Sequence, residues 1–156
     1  MTTLSPIWSR AAVLVARLIF AAMFAMAMVF KFMDPASTAG YIATIGFPAP
    51  LLFAWLAAFF ELALVACFLT GAFFREAALA AIVYVLFLAF SFHGPSHWAA
   101  SQAEFGFFVD HFTFVAGLLF AAVNGPGDVL VLKLSLIGGA HSPTLARRAN
   151  VNTSTT

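Results

Sequence analysis

The sequence predicts an all-α integral membrane protein in which four helices form a bundle. Two compositional features favour this fold class: 63% of the 156 residues are hydrophobic, and only 8% are charged. In addition, the apolar residues gather into four long runs, at 11–32, 50–71, 77–92 and 105–123. A membrane-spanning helix needs roughly 17–25 mostly apolar residues. A helix on the surface of a soluble protein keeps a polar face, whereas these runs are apolar on every side.

The first run is predicted to be a retained helix and not a cleaved signal peptide. Arg10 precedes it, and Ala25-Met26-Ala27 resembles a cleavage site. The apolar region of a signal peptide is about 7–15 residues long, whereas this run is longer and contains Arg17. The third run is short for a span, and we expect it to extend through His93.

The distribution of basic residues predicts that both termini are cytoplasmic, because Lys and Arg are enriched in the cytoplasmic loops of membrane proteins. With four spans, the side opposite the termini receives only Lys31. The side that holds the termini receives Arg10, Arg75, Lys133, Arg147 and Arg148.

The predicted cytoplasmic N-terminus covers residues 1–10, and the predicted membrane domain covers residues 11–128. Between helices 1 and 2, residues 35–45 are predicted to form a short helix at the membrane interface. Asp34 can cap this helix, and Pro35 suits its first position.

The segment after helix 4 changes character twice. Gly125-Pro126-Gly127 ends the helix, and the following segment 129–141 is apolar but too short to span. We expect it to lie on the membrane surface or on a partner. The tail 142–156 is rich in Ser, Thr and Asn and is predicted to be disordered.

Ionisable residues inside membrane spans are rare and usually face the bundle interior or a cavity. The candidates for ligand binding or proton exchange are therefore few. They are Arg17, Glu61, Asp110 and His111 within the spans, with Lys31 and His93 at span ends.

Helical geometry predicts the directions in which the Glu61 and Arg17 side chains point. Glu61 shares one side of helix 2 with several alanines, and small residues mark helix contacts in membranes, so Glu61 should point into the bundle. Arg17 lies roughly 9 Å into the membrane at 1.5 Å per residue, about one turn from the depth of Glu61. An Arg17–Glu61 pair is predicted, and it has two interpretations: a ligand site, or a clamp between helices.

Asp110 and His111 are adjacent but should point about 100° apart on helix 4. Asp110 shares a face with Gly106, Thr113 and Gly117, so it is expected to point inward, where it would pair with Lys31 or cap loop groups. His111 is either a site residue or an anchor at the membrane interface.

Composition argues against several kinds of chemistry. The net charge of +1 argues against nucleic acid as a partner. Cys67 is the only cysteine, so an intramolecular disulfide or a CxxC redox pair is excluded. Redox chemistry would need a bound cofactor or a partner. No metal site is expected from His93, His97 and His111, because Gly94-Pro95 interrupts the helix between the first two.

An ordered set of landmarks gives the chain a family resemblance. These are Phe30-Lys31, Asp34-Pro35, Tyr41, Gly46, Pro48, Glu61, Gly71, Arg75, His93, Gly117-Leu118-Leu119 and Gly125-Pro126-Gly127. The chain resembles, over roughly residues 15–128, the DoxX family of small four-helix bacterial inner-membrane proteins. The start of helix 4 departs from the family pattern, which often has Lys-Asn where this chain has Asp110-His111.

The resemblance implies a multi-pass protein of the bacterial inner membrane with a role linked to quinones. The family is named for similarity to the membrane subunit of a thiosulfate:quinone oxidoreductase, and other members are associated with quinone or oxidative stress. Lys31, Glu61, Arg75 and His93 match family landmarks, and Arg17 matches the common arginine of helix 1.

Two functions from different classes remain open. The first is a quinone-interacting membrane subunit of an oxidoreductase system, with the lipid bilayer and a redox partner protein or a second copy as partners. The alternative is a non-catalytic membrane anchor or scaffold for another protein. A small-solute transporter is less favoured, because no pair of broken helices is visible.

Overall fold

The computed structural model describes residues 6–99, 101–132 and 134–137 and is all-helical in them apart from turns and loops. In chain order the helices are α1 (Pro6–Met33), α2 (Pro35–Ala43), α3 (Pro50–Thr70), α4 (Phe74–His93), α5 (Pro95–Trp98) and α6 (Gln102–Asn124). Four of them, α1, α3, α4 and α6, are long and apolar enough to cross a membrane. The predicted fold class is confirmed. The cytoplasmic position of the termini stays a prediction.

Some of the sequence-based expectations concern residues that lie outside the described ranges. They are residues 1–5 of the predicted N-terminal segment, residues 138–141 of the predicted apolar segment, the tail 142–156, and the basic residues Lys133, Arg147 and Arg148.

The bundle is built from two helix pairs: α1 packs along α3, and α4 packs along α6. Aromatic rings fill the space between α1, α3 and α6. Phe68 is fully buried and stacks on Phe24 at 5.8 Å between ring centroids. Phe114 meets Phe20 edge to face at 5.2 Å. Such offset and edge-to-face pairs are the favoured aromatic geometries, so this cluster fixes how the helices approach one another.

The short helix α2 forms where the sequence predicts one. Asp34 is its N-cap, and its carboxylate accepts a hydrogen bond from the Ser37 amide at 2.9 Å. Pro35 occupies the first turn. The helix rests against α3, and Tyr41 stacks on Phe92 of α4 at 4.6 Å. We call this end of the bundle the α2 end, and the opposite end the terminal end.

At the terminal end, Arg17 is the hydrogen-bonding centre. It is only 2% exposed, and it makes five hydrogen bonds, matching the five N–H donors of a guanidinium. The acceptors are the carbonyls of Phe68 (3.2 Å), Leu69 (2.8 Å), Pro126 (3.1 Å), Val129 (2.8 Å) and Leu130 (3.1 Å). Arg17 therefore joins α1, the end of α3 and the chain beyond α6.

These contacts satisfy the end of α3. The last four carbonyls of a helix have no partner within it. Arg17 binds two of them, at residues 68 and 69. The carbonyl of Cys67 accepts from the Gly71 amide at 2.8 Å, and that of Thr70 accepts from the Leu132 amide at 2.9 Å. Gly71 adopts a left-handed φ of 72°, which glycine reaches without steric cost.

Residues 126–132 and 134–137, which we call the strap, return across the turn between α3 and α4. The Phe73 amide donates to the Leu134 carbonyl at 2.7 Å. The Glu76 carboxylate accepts from the Ser135 hydroxyl at 2.9 Å and from the Ile137 amide at 2.7 Å. The strap is thus tied to the bundle by its backbone, while its leucines are exposed. Its contact with the membrane surface stays a prediction.

The predicted Arg17–Glu61 pair is wrong. In an α-helix each Cα–Cβ bond tilts toward the N-terminus, and α1 and α3 run in opposite directions. Arg17 therefore leans toward the terminal end and Glu61 toward the α2 end, so their side chains diverge. The sequence-based estimate of depth also placed Glu61 too close, because Arg17 binds at the level of Phe68, about 10 Å further along α3.

We expect Arg17→Gln to destabilise the protein strongly, because an amide cannot satisfy five carbonyls and a buried unpaired group costs about 1–3 kcal/mol. Thermal unfolding in detergent should show a loss of at least about 2 kcal/mol. The matched control is Arg10→Gln on the same helix. Its ion pair with Asp128 spans 2.9 Å and is 60% and 57% exposed, so its loss should cost about 1 kcal/mol or less. Equal losses of stability in the two variants would contradict the structural role of Arg17.

Candidate functional site

A cavity of about 1110 Å³ lies at the α2 end. It is bounded by α2, α3 and α4, by the end of α1, and by one residue of α6. Its wall is mostly apolar and rich in aromatic rings, including Phe30, Phe53, Phe60 and Phe87. Pockets for small ligands are typically concave and mostly apolar with a few placed polar groups. This cavity has that character and enough volume for a flat organic ligand.

The first polar group of the cavity centres on Glu61. Its carboxylate Oε1 accepts a hydrogen bond from Lys31 Nζ at 2.9 Å and one from the Tyr84 hydroxyl at 2.8 Å. Lys31 and Tyr84 line the cavity, and Glu61, 1% exposed, lies directly behind them. We call these three residues the Lys31 cluster.

One oxygen of this buried carboxylate is unsatisfied. Glu61 Oε2 is buried and has no hydrogen-bond partner among the residues that the structure describes. Buried polar atoms are nearly always paired. The Lys31 cluster therefore retains hydrogen-bonding capacity that no described side chain uses.

The same helical lean that separates Arg17 from Glu61 brings Lys31 to it. Lys31 lies in the last turn of α1 and leans back into the bundle, while Glu61 leans toward the α2 end. Ala54 and Ala58 are fully buried on the Glu61 side of α3, and small residues allow helices to approach closely. The predicted small-residue face thus does place Glu61 in the interior, but its cationic partner is Lys31.

A second group of polar side chains lies where the end of α4 meets the start of α6. His93 Nδ1 is 2.6 Å from Glu104 Oε2. The His93 ring lies 5.1 Å from the His111 ring and 5.3 Å from the Phe107 ring. Both histidines line the cavity. We call His93, Glu104 and His111 the His93 cluster.

Hydrogen bonding fixes the tautomer of His111. Its Nδ1 lies 2.6 Å from the Phe107 carbonyl, and a carbonyl can only accept, so Nδ1 carries the proton. Among the residues that the structure describes, no three His, Cys, Asp or Glu side chains are grouped so that they could hold a metal ion.

The predicted directions of Asp110 and His111 are reversed. Asp110 is exposed and has no hydrogen bond or ion pair with any described residue, whereas His111 borders the cavity. The helical wheel correctly separates the two faces but does not say which face packs. Val115 and Leu118 are the buried residues of α6. The small-residue face is exposed at Gly106 and Asp110, near the α2 end, and approaches Phe20 of α1 only further along the helix, at Gly117.

Arg75 and Arg17 are also far from the cavity. Arg75 lies in the first turn of α4, at the terminal end, and is exposed.

Two residues of the site were missed by sequence reasoning, Tyr84 and Glu104. Tyr84 is a single hydroxyl within an apolar run, and Glu104 precedes His111 by seven residues, which is two helical turns on one face.

We expect Lys31 and Glu61 to be energetically coupled. Lys31→Met leaves a buried carboxylate without its cation, and breaking a buried pair costs about 3–5 kcal/mol. The double variant Lys31→Met/Glu61→Gln removes the charge and should be more stable than the sum of the single losses predicts, by about 1–3 kcal/mol. Thermal unfolding of the four proteins gives this coupling. The exposed Arg10–Asp128 pair is the control, with about 1 kcal/mol or less. Additive losses at Lys31 and Glu61 would contradict the pair.

One of three comparisons with known proteins finds a match. The family model described as DoxX matches residues 12–94, which run from α1 to the end of α4. The match includes Lys31, Glu61, Tyr84 and His93 and stops before α6. Comparison with curated proteins and with solved structures finds no match. Because the family model covers more than half of the chain, and the four long apolar helices suit a multi-pass membrane protein, the chain belongs to the DoxX family.

Proposed function

We propose that this protein binds a lipid-soluble quinone in the cavity, as a membrane subunit of an oxidoreductase system in the bacterial inner membrane. The observation that carries the proposal is the Lys31 cluster, in which an ammonium and a phenol on the wall of an apolar cavity are hydrogen-bonded to a buried carboxylate. A fully apolar ligand would leave this cluster unused. A small hydrophilic ligand would gain little from the aromatic walls.

The chemistry of a quinone fits both parts of the cavity. Its ring is flat and apolar and can pack on aromatic side chains, and its carbonyl oxygens accept hydrogen bonds. Lys31 donates one N–H to Glu61 and lies 3.4 Å from the Ala27 carbonyl, and an ammonium has three N–H groups. One donor therefore remains for a ligand carbonyl. The Tyr84 oxygen, which donates its proton to Glu61, can accept from a hydroxyl of the reduced ligand.

Lys31 also supplies charge. When a quinone carbonyl gains electrons, negative charge develops on its oxygen, and a preorganised cation in a dry site stabilises that charge. Because the chain has one cysteine and no recognisable cofactor motif, the electrons come, in this proposal, from a partner protein. Quinone itself is the only cofactor proposed.

The second candidate, a non-catalytic anchor for a partner, is favoured by the strap. Leu130, Leu132, Leu134 and Leu136 are all more than half exposed at the terminal end, and exposed apolar patches mark interaction or membrane surfaces. A stoichiometric partner that is lost on Leu132→Glu but retained after every substitution in the cavity would favour this function.

We expect Lys31→Met to weaken binding of decylubiquinone by tenfold or more, about 1.4 kcal/mol, because it removes the charged donor. The measurement uses protein in quinone-free lipid nanodiscs, equilibrated with decylubiquinone and separated by gel filtration, with bound quinone quantified by its absorbance. Arg75→Met is the matched control and should bind as the unsubstituted protein does. Unaltered binding in Lys31→Met would reject the Lys31 cluster as the site.

Filling the cavity should have the same effect without changing any charge. Ala57 lines the cavity, so Ala57→Phe places a ring where the ligand would lie and should reduce decylubiquinone binding by tenfold or more. Ala116→Phe is the control, since Ala116 is on the exposed side of α6. Thermal unfolding of both variants checks that the bundle is intact. Equal binding by both would place the quinone outside the cavity.

A further inference from the structure

The cavity is not enclosed, because it opens between α3 and α4. Leu56 of α3 and Val83 and Phe87 of α4 line it, and these same side chains are 53%, 69% and 43% exposed. A side chain that lines a cavity and is also largely exposed lies at its rim. The next lining residues inward, Ala57 of α3 and Tyr84 of α4, are only partly exposed. The cavity therefore deepens from this rim toward the bundle interior.

Two aromatic contacts join α3 and α4 above and below the rim. Toward the α2 end, the Phe47 ring lies between the helices, 5.0 Å from the Phe53 ring of α3 and 5.7 Å from the Phe87 ring of α4. Toward the terminal end, Phe60 of α3 meets Tyr84 of α4 edge to face at 5.1 Å. The rim residue of α3 lies between these two contacts in the chain. The opening is thus a bounded gap between the helices, which we call the window.

The window lies at the depth of lipid acyl chains. Leu56 is six residues from the start of α3 and Val83 is ten residues from the end of α4, about 9 and 15 Å from the α2 end. The hydrocarbon core of a bilayer is about 30 Å thick, so both residues fall within it. A molecule at this rim comes from the bilayer and not from water.

The Lys31 cluster is next to the window. Tyr84 packs on Phe60 at the edge of the window, and its hydroxyl donates to Glu61 Oε1 at 2.8 Å. Lys31 Nζ donates to the same oxygen at 2.9 Å. Because both donors share one carboxylate oxygen, a ring bound at Lys31 also lies beside Tyr84 and therefore beside the window. The cavity volume of about 1110 Å³ exceeds the roughly 300–1,000 Å³ of typical ligand pockets, so a single ring leaves room for more of the ligand.

We infer that the ligand is an amphiphile with a long hydrocarbon tail, whose head group binds at the Lys31 cluster and whose tail leaves the cavity through the window into the bilayer. This inference rests on the proposed quinone site and adds the tail, its path and the side chains that accommodate it. Lipid is as apolar as the rim, so the tail gains nothing from leaving water. The shape of the window at Leu56, Val83 and Phe87 consequently decides which tails fit.

Photolabelling tests the path of the tail. The probe is a decylubiquinone analogue with a diazirine midway along its tail, added to protein in quinone-free nanodiscs, and mass spectrometry locates the labelled residues. Labelling should concentrate on Leu56, Val83 and Phe87, and it should fall by tenfold or more with excess decylubiquinone and in Lys31→Met. Rim labelling that neither treatment reduces would mean that the window holds any acyl chain, and competed labelling on α1 or α6 would place the tail elsewhere. Either result overturns the inference.

Narrowing the window tests whether it selects for the tail. Leu56→Trp should weaken decylubiquinone binding by tenfold or more, and it should change binding of the same dimethoxy-methyl-benzoquinone ring without a tail by about twofold or less. Both affinities are expressed relative to the ligand concentration in the membrane, so that partitioning cancels. Leu62→Trp is the matched control, because Leu62 is an exposed leucine of the same helix that does not line the cavity. Thermal unfolding checks that both variants are folded.

The outcomes separate this inference from the proposed function. If decylubiquinone binds and requires Lys31, but Leu56→Trp weakens both ligands equally or neither of them, the inference is wrong and the proposed function stands. If the unsubstituted protein binds no quinone and shows no labelling that decylubiquinone competes away, both are wrong.

Discussion

The arrangement of this bundle depends on the five hydrogen bonds that Arg17 donates to backbone carbonyls. Within a bilayer no water satisfies the exposed carbonyls at a helix end, so the protein must supply the donors. Arg17 supplies them for α3 and at the same time for the chain that leaves α6. Because one guanidinium holds both, the depth of α3 relative to α1 is fixed. Glu61 is two helical turns nearer to the α2 end than Phe68, to which Arg17 binds, and this depth places Glu61 opposite Lys31.

The two cations of α1 consequently have different roles. Arg17 is surrounded by neutral carbonyls and has no donor left, so it contributes to structure alone. Lys31 is paired with a carboxylate, keeps a free donor and faces a cavity. Fourteen residues separate them, about 21 Å along the helix, which is most of the thickness of a hydrocarbon core. One helix therefore carries a structural charge at the terminal end and a charge that lines the cavity near the α2 end.

Much of the fold could be predicted from the sequence, because apolar run length defines spans and Asp34-Pro35 defines the start of α2. Lys31, Glu61, His93 and His111 of the site were also identifiable, since charged and imidazole side chains are rare in membrane spans and usually face the bundle interior or a cavity, whereas Tyr84 and Glu104 were not. The partners of the identifiable residues were not, because partnership depends on relative depth and on which face packs. The estimated depths of Arg17 and Glu61 suggest a pair that does not form. The small residues beside Asp110 suggest that it points inward, whereas Val115 and Leu118 are the residues of α6 that are buried.

The two polar clusters of the cavity differ in how much of each the family model covers. The family match ends at residue 94, so it contains the whole Lys31 cluster and His93 but neither Glu104 nor His111. Without α6, His93 would be a histidine at a helix end with no fixed tautomer. The Glu104 contact gives it a defined proton-bearing nitrogen, Nδ1. The Lys31 cluster therefore lies wholly on helices that the family model covers, whereas the His93 cluster also needs α6, which packs along α4.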